Sequence, residues 1–416
     1  WSLFTDVEMP LVDVLVDMEM TGVLLDTARL ERMSGEMGRR LGELEARIYE
    51  LVGYRFNINS TQQLSDALFK TLGLPTQGLR RTKSGHYSTA AGMLERYRGQ
   101  HAVIDFILEH RELSKLKSTY LDALPRLVNP RTGRLHTSYR QTGTVTGRIS
   151  SSNPNLQNIP IRTPLGRQVR RAFVARTGCQ LISADYSQVE LRVMAHISGD
   201  EGLLEAFARG EDIHASTAAA ISGVSLSNVT PAMRRVAKAV NFGLSYGQTA
   251  YGLSQATGLT PAEAENFITE YFKRFPRVHE YIEQTKMLAR RQGYVETLLG
   301  RRRYFPELQP ESSVSFNARQ SAERMAINAP IQGTAADIIK IAMIRLHKAL
   351  EERGFLARMI LQVHDDLVLE TPDDEQAAVS LLMQDTMEGA VRLRVPLKVD
   401  FKIGTNWDEM EPASVG

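Results

Sequence analysis

ARMILQVHDDLVLE, residues 357–370, is the stretch on which the fold turns. Apolar residues flank a doubly acidic centre, a pattern that reads as two buried strands of a hairpin with a polar tip. Asp365 and Asp366 are then expected at the tight turn. A second run, QLISADYSQVELR at 180–192, reads as an apolar strand that ends in Asp185. Two strand ends carrying aspartates, 180 residues apart in the chain, suggest one shared acidic site. Clustered carboxylates repel, so such a site needs raised pKa values or a bound cation. Magnesium suits it, because that ion binds through one or two carboxylates plus substrate phosphates. Two such ions can stabilise the attacking and the leaving oxygen of an in-line phosphoryl displacement. Taken singly, Asp185 also reads as a helix cap and Asp365-Asp366 as an ordinary turn.

A cationic and aromatic stripe bears on that choice. In MRRVAKAVNFGLSYG (233–247), Arg234, Lys238, Phe242 and Tyr246 stand four residues apart. On an α-helix they share a face. From Arg234 to Phe242 the helix rises about 12 Å, at roughly 1.5 Å per residue. That is about the length of an extended nucleoside triphosphate, with cations for the phosphates and rings for base and sugar. A solvated basic face followed by a core aromatic pair has the same pattern.

At 416 residues the chain can bury several cores. Its 43% hydrophobic and 24% charged content is that of an ordinary globular protein. A net charge of +2 does not by itself imply nucleic acid. The distribution says more: Arg162, Arg167, Arg170 and Arg171 cluster, as do Arg290, Arg291, Arg301, Arg302 and Arg303. A locally basic surface on a near-neutral protein fits phosphate contacts along a groove. Cys179 is the only cysteine, so no internal disulfide forms and a reducing compartment is expected. The N-terminus does not read as a signal peptide, and no apolar run approaches the ~20 residues of a membrane span. The chain does not begin with Met and reads as a fragment.

Helical spacing predicts a helix over 7–20, broken at Thr21-Gly22, and a long one over 27–52 capped by Asp26. Ser60 is expected to cap a helix to about Leu68. GLRRTKSGHYST (78–89) reads as an exposed loop, and 101–124 as another helix. Strands are expected at 135–141 and 180–185, helices through 201–298, and a long helix near 317–353. The prediction is a mixed α/β (α+β) fold with helical insertions.

DYSQVELR (185–192), RRVAKAVNFGLSYG (234–247) and QVHDDLVLE (362–370) resemble, in order and spacing, the three polymerase motifs of family A DNA polymerases. TGRISSSNPNLQNIP (146–160), RRAF (170–173), DIH (212–214), GYVETLLGRRRY (293–304) and NAPIQGTAAD (328–337) resemble further segments of the family, so the likeness covers nearly the whole chain. The resemblance implies a right-hand polymerase: a helical thumb at 21–128, helical fingers at 201–315, and a palm sheet built from 1–20, 129–200 and 316–416. It implies that Asp185 and Asp365, with the Tyr186 carbonyl, hold two Mg²⁺ ions, replaceable by Mn²⁺. Arg234, Lys238, His214 and Gln188 are then nucleotide contacts, with Lys238 also a proton donor to pyrophosphate. Phe242 would pack on sugar and base, and Tyr246 would stand by the templating position. Glu190 would be the steric gate that excludes a 2′-hydroxyl. Arg148, Asn155, Gln157, Asn328, Gln332 and His364 would line the primer terminus and minor groove, whose acceptors are nearly the same for every base pair. Lys117 and the 78–89 loop would touch the DNA backbone.

The implied partners are primer-template DNA and dNTPs, with no membrane, for a monomer in the cytoplasm at the nucleoid. One departure stands out: the family's His-Asp-Glu is here His364-Asp365-Asp366, which shortens the last carboxylate, also expected to be catalytic, by one methylene. The chain is expected to carry no exonuclease domain. An RNA-synthesising or reverse-transcribing relative and a silent DNA-binding paralogue are the alternatives. Glu190 argues against the first; intact Asp185, Asp365, Arg234 and Lys238 argue against the second.

Overall fold

Strand Cys179–Tyr186 is the spine of the molecule. The computed structural model describes residues 1–161 and 163–414, so Arg162 of the expected basic cluster lies outside the described residues. Beside the spine runs Asp366–Pro372, with Arg358–Val363 outside it; on the other side runs Val399–Gly404, edged by Glu411–Ala413. Every pairing in this sheet is antiparallel. Its register decides the site: Asp185 lies opposite Asp366 on one neighbour and Asp400 on the other. Directly paired residues project from the same face. The three carboxylates therefore form one rung at the end of the sheet.

Alternation sends Ile182, Ala184 and Tyr186 to one face of the spine and Leu181, Ser183 and Asp185 to the other. The first set belongs to the large core that also holds Ile338, Ala342 and Met343 of the long helix Phe316–Glu352, with helix Gln376–Glu388 packed on the strand. Leu181 packs instead with Val368, Phe173 and Trp407, and this second core extends to Leu30 and Met33. Coverage of both faces explains why the strand reads as a continuous apolar run up to its aspartate.

Helix Thr27–Val52 begins where the Asp26 carboxylate accepts from the Arg29 N–H at 2.9 Å and ends at a left-handed Gly53. Its buried stripe of Leu30, Met33, Met37, Leu44 and Ile48 packs on helix Ala102–Leu116. The outer half of that pair makes a separate core with Phe56, Leu68, Ile104 and Ile107, and the 78–89 loop attaches to it through Leu79 and Tyr87. Helices fill 201–292 and are followed by the small hairpin Tyr294–Glu296 with Arg302–Tyr304. Among the described residues no helix is long and apolar enough to cross a membrane.

The structure corrects several expectations. The strand expected at 135–141 is two strands in different sheets: Arg134–Leu135 pairs with Val23–Leu25, and Ser138–Arg140 with Ser150–Ser152. Between them His136 bonds the Glu19 carbonyl at 2.7 Å, and Thr137 bonds the Pro154 carbonyl at 2.8 Å. Such side-chain bonds to backbone compete with the ladder and bend the chain. Asp366 is not in the hairpin turn but opens the second strand, paired with Val363. The turn itself is His364-Asp365, with His364 at φ +56°, the left-handed backbone that two-residue hairpin loops require. The helix expected at 101–124 ends as an α-helix at Leu116 and continues as a wider π-helical turn to Leu121.

Gly22 links the first helix to strand Val23–Leu25 at φ +62°, where a Cβ would fall 2.7 Å from the Leu135 carbonyl oxygen. Gly22→Ala is expected to destabilise the protein by roughly 1–3 kcal/mol, measured as a lower midpoint in chemical denaturation. An unchanged midpoint would contradict this account of the turn.

Candidate active site

The rung Asp366–Asp185–Asp400 is like-charged, and each member answers it differently. Solvent reaches Asp185, but the surrounding protein removes much of the water beyond. That burial, with the charges of Asp365 and Asp400, pushes its carboxyl up to about 6. Asp366 is pushed up to about 7, by burial first and by Asp185 second. One oxygen of Asp366 accepts from the Ser183 hydroxyl at 2.7 Å, which ties it back to the sheet. Asp365, on the turn, is raised by burial and held down in part by Arg148, 3.7 Å away. The Tyr186 side chain leaves the site altogether and donates to the Met387 carbonyl at 2.7 Å; its backbone pairs with Val399, one position past the rung.

From Asp365 a chain of contacts leads to the stripe. Arg148 donates to Glu190 at 2.9 Å, and the Tyr246 hydroxyl donates to the other Glu190 oxygen at 2.7 Å. Glu190 is buried, and burial raises its pKa against the opposing pull of Tyr246, Arg148 and Gln332. Tyr246 is the residue just past helix Pro231–Ser245, so the stripe's last member sits on the cap rather than on the helix. Arg234 and Lys238 are exposed and Phe242 is half-buried. Arg234 is held by Asp212 at 2.7 Å; among the described residues Lys238 makes no ion pair.

The other predicted residues divide. His214 is buried, packs on the Phe242 ring at 5.5 Å and shares a 3.0 Å hydrogen bond between its Nδ1 and Asn241. Burial pushes it down to about 4, so it stands neutral. Gln188 caps helix Val189–Ser198 in a left-handed conformation, and its side-chain oxygen is buried without a partner, as is that of Asn328. Gln332 lies one turn beyond Asn328, beside Glu190. Gln157 donates to the Ile149 and Gln362 carbonyls, each at 3.1 Å, which ties its loop to the strand that leads into His364. The exposed Asn155 accepts from the Gln157 N–H at 2.9 Å.

Lys117 stands apart from this group. It binds Asp122 at 2.8 Å and Ser34 at 2.9 Å, and so clamps two helices together. The expected arginine clusters are also largely engaged within the protein. Arg170 is buried over the Trp407 ring at 4.0 Å, Arg171 pairs with Asp408, Arg290 with Glu323 and Arg302 with Glu296.

Reasoning from sequence missed Asp400 and Asp212. Asp400 sits in a strand with no motif, and only the register brings it to Asp185. Asp212 lies in DIH, a segment singled out for its histidine. Its carboxylate both caps the helix that carries His214 and holds Arg234.

A sheet-end carboxylate rung and a turn aspartate linked through Arg148, Glu190 and Tyr246 to a helix with two exposed cations define a mixed helix-and-sheet fold with charge of both signs at one end of the sheet. Comparison with known proteins gives its family. A model of DNA polymerase family A matches residues 27–409. The chain belongs to that family. DNA polymerase I, thermostable, of Thermus aquaticus is 53% identical over 405 residues, covering 97% of this chain and 48% of that protein. DNA polymerase I of Chloroflexus aurantiacus is 51% identical over 418 residues, covering 100% and 44%. DNA polymerase I of Geobacillus stearothermophilus is 52% identical over 406 residues, covering 97% and 46%. The chain thus spans about half the length of the curated relatives it matches. Among solved structures, the POL domain of Pol1 from M. smegmatis, in complex with DNA primer-template and dNTP, superposes with a TM-score of 0.91 at 42% identity. That match covers 98% of this chain and 71% of that one.

The raised carboxyls make a linkage prediction. A carboxyl whose folded pKa lies above its unfolded value binds a proton more tightly when folded. Its contribution is complete below about pH 4, the unfolded range, and fades as pH rises through about 6 for Asp185 and about 7 for Asp366. Metal-free protein should therefore lose melting temperature between pH 4 and 7 on their account. Asp366→Asn should flatten that slope. An identical pH profile for the variant would show that the carboxyl is not raised.

Proposed function

We propose that this chain is the polymerase portion of a DNA polymerase I-type enzyme. It adds deoxynucleotides to a primer 3′-hydroxyl under template direction and releases pyrophosphate. The observation that carries the reading is the contact path from Asp365 through Arg148, Glu190 and Tyr246 to the cationic helix face. In this reading the path links a metal-competent acidic end to a triphosphate-length basic face. In this reading 21–128 is the thumb, 201–315 the fingers, and 1–20, 129–200 and 316–416 the palm.

The donor set fits Mg²⁺, with Mn²⁺ as a substitute. Among the described residues no three His, Cys, Asp or Glu side chains form a ready cage. Two aspartates and the Tyr186 carbonyl suit an ion whose shell substrate phosphates complete. When bound, a pair of such ions supplies charge neutralisation at the attacking oxygen and the leaving phosphate. The rest falls to the protein. Arg234 and Lys238 draw the triphosphate along the helix, and Lys238 holds a proton for the leaving pyrophosphate. Phe242 supports the sugar and base. Glu190, held by two donors, occupies the place of a ribose 2′-hydroxyl. Arg148, Gln332, Asn328, Gln157, Asn155 and His364 follow the primer terminus and minor groove, where pair geometry is read without sequence. Positioning and electrostatics carry such a transfer. The enzyme works as a monomer at the bacterial nucleoid.

Primer extension tests the reading. Wild type should extend a DNA primer on a DNA template with dNTPs and not with NTPs. Asp185→Ala and Asp365→Ala should each lower the rate by about 10³-fold or more, the scale of losing a group that stabilises transition-state charge. Absence of extension by wild type with Mg²⁺ or Mn²⁺ would sink the proposal. A finer test uses chain terminators: Phe242→Tyr should raise dideoxynucleotide incorporation relative to dNTP, because its hydroxyl can replace the missing 3′-OH. Equal ratios would argue against that ring as a sugar contact.

A further inference from the structure

Away from the cleft lies a compact cluster of four charges. Asp337 and Lys340 are fully buried on helix Phe316–Glu352. Arg301, from the hairpin 294–304, donates through Nε to Asp337 at 2.8 Å and through Nη2 to Glu8. Lys340 donates to the same Glu8 oxygen at 2.8 Å, and Thr297 donates to the second Asp337 oxygen at 2.8 Å. Two cations and two carboxylates thus balance, and each carboxylate oxygen is used. A buried charge is tolerated only when so paired, and removing one member strands the others.

The cluster also seats the loop that carries Arg148. Loop 141–149 joins strands Ser138–Arg140 and Ser150–Ser152. At its start, Gln141 donates to the Glu8 carbonyl at 2.8 Å and to the Glu8 carboxylate at 2.6 Å. At its end, buried Gly147 takes φ +81° with its backbone flat against Arg301; a Cβ there would lie 2.5 Å from the Arg301 Nε. Between them the Thr144 hydroxyl donates to the Arg148 carbonyl at 2.9 Å. The residue after Gly147 is Arg148, which reaches Glu190 and Asp365.

We infer that Arg301, fixed by Glu8, Asp337 and Lys340, is a positioning residue that sets the reach of Arg148 into the active site. The inference rests on the polymerase reading proposed above. Arg301 touches no reacting atom; it fixes the floor on which Gly147 lies, and so the direction in which Arg148 leaves the loop. A shift of that floor moves the Arg148 guanidinium relative to both carboxylates. Small misplacements of a group at the reacting centre are costly in rate.

The test is a double-mutant comparison. Arg301→Gln and Gly147→Ala are each made in wild type and in Arg148→Ala, and kcat and KM for dNTP are measured on one primer-template. In wild type each should lower kcat by ~10-fold or more, with Arg301→Lys recovering part of the loss. In Arg148→Ala the same changes should cost no more than about 2-fold, since coupled residues do not add. Equal losses in both backgrounds would show a merely structural role and overturn the inference. Gly147→Ala retains all four charges. If thermal melting shows that Arg301→Gln does not fold, it carries the comparison, and equal losses from it overturn the inference too. The two readings fail differently. A wild type that extends primers, is slowed by Arg148→Ala and is unmoved by Arg301→Gln refutes only the positioning role. A wild type that never extends a primer refutes both.

Discussion

Three aspartates on one rung repel, and the rest of the structure exists around that repulsion. Nothing local favours Asp185, Asp366 and Asp400 side by side. The strand register imposes it, and the register is held by apolar residues on both faces of the spine. A slip of one residue would turn Ile182 and Ala184 out of the core under the long helix and bring polar groups in. The core thus stabilises a charge arrangement that is unfavourable by itself. Burial first, and like charge second, raise the pKa values of Asp185 and Asp366. In the proposed function, an arriving cation would relieve that repulsion.

The same logic separates the two halves of the cleft. The acidic end is rigid because it grows from a sheet buried on both sides. The basic face stands on helix Pro231–Ser245, whose leading residues are exposed and whose Arg234 is held mainly by Asp212. Glu190 joins the halves, since it receives Arg148 from the sheet side and Tyr246 from the helix side. A contact made of single hydrogen bonds can be exchanged for substrate contacts at small cost, whereas the strand ladder cannot. In the proposed function, motion on nucleotide binding would belong to the helix, in keeping with lids that close over substrate.

How much of this was legible in the sequence follows from the range of the interactions. Helix Thr27–Val52 and its Asp26 cap could be read because spacing and capping are local. The spine and its hairpin could be read because burial on both faces leaves unbroken apolar runs. Asp185 and Asp365 stood at the ends of those runs. Asp366 was misplaced by one position, because a two-residue turn and the first strand residue differ only in a backbone angle set by His364. The break at His136-Thr137 was hidden, since it depends on bonds to Glu19, Ser151 and Pro154 from other segments. Asp400 and Asp212 were invisible for the same reason: each becomes part of the site through a partner distant in the chain. The arginine clusters misled in the opposite sense, because composition counts charges but not the carboxylates that meet them.

Asp366 shows how a short side chain changes the chemistry of a rung. The family's glutamate at this position would carry its carboxylate one methylene farther from the sheet. The aspartate instead stays where the Ser183 hydroxyl donates to it, at 2.7 Å, on the strand that also bears Asp185. The Asp185 charge is then felt at Asp366, which it raises after burial, while Asp185 itself is raised by burial and by Asp365 and Asp400. The Ser183 hydrogen bond thus ties Asp366 back to the strand that carries Asp185.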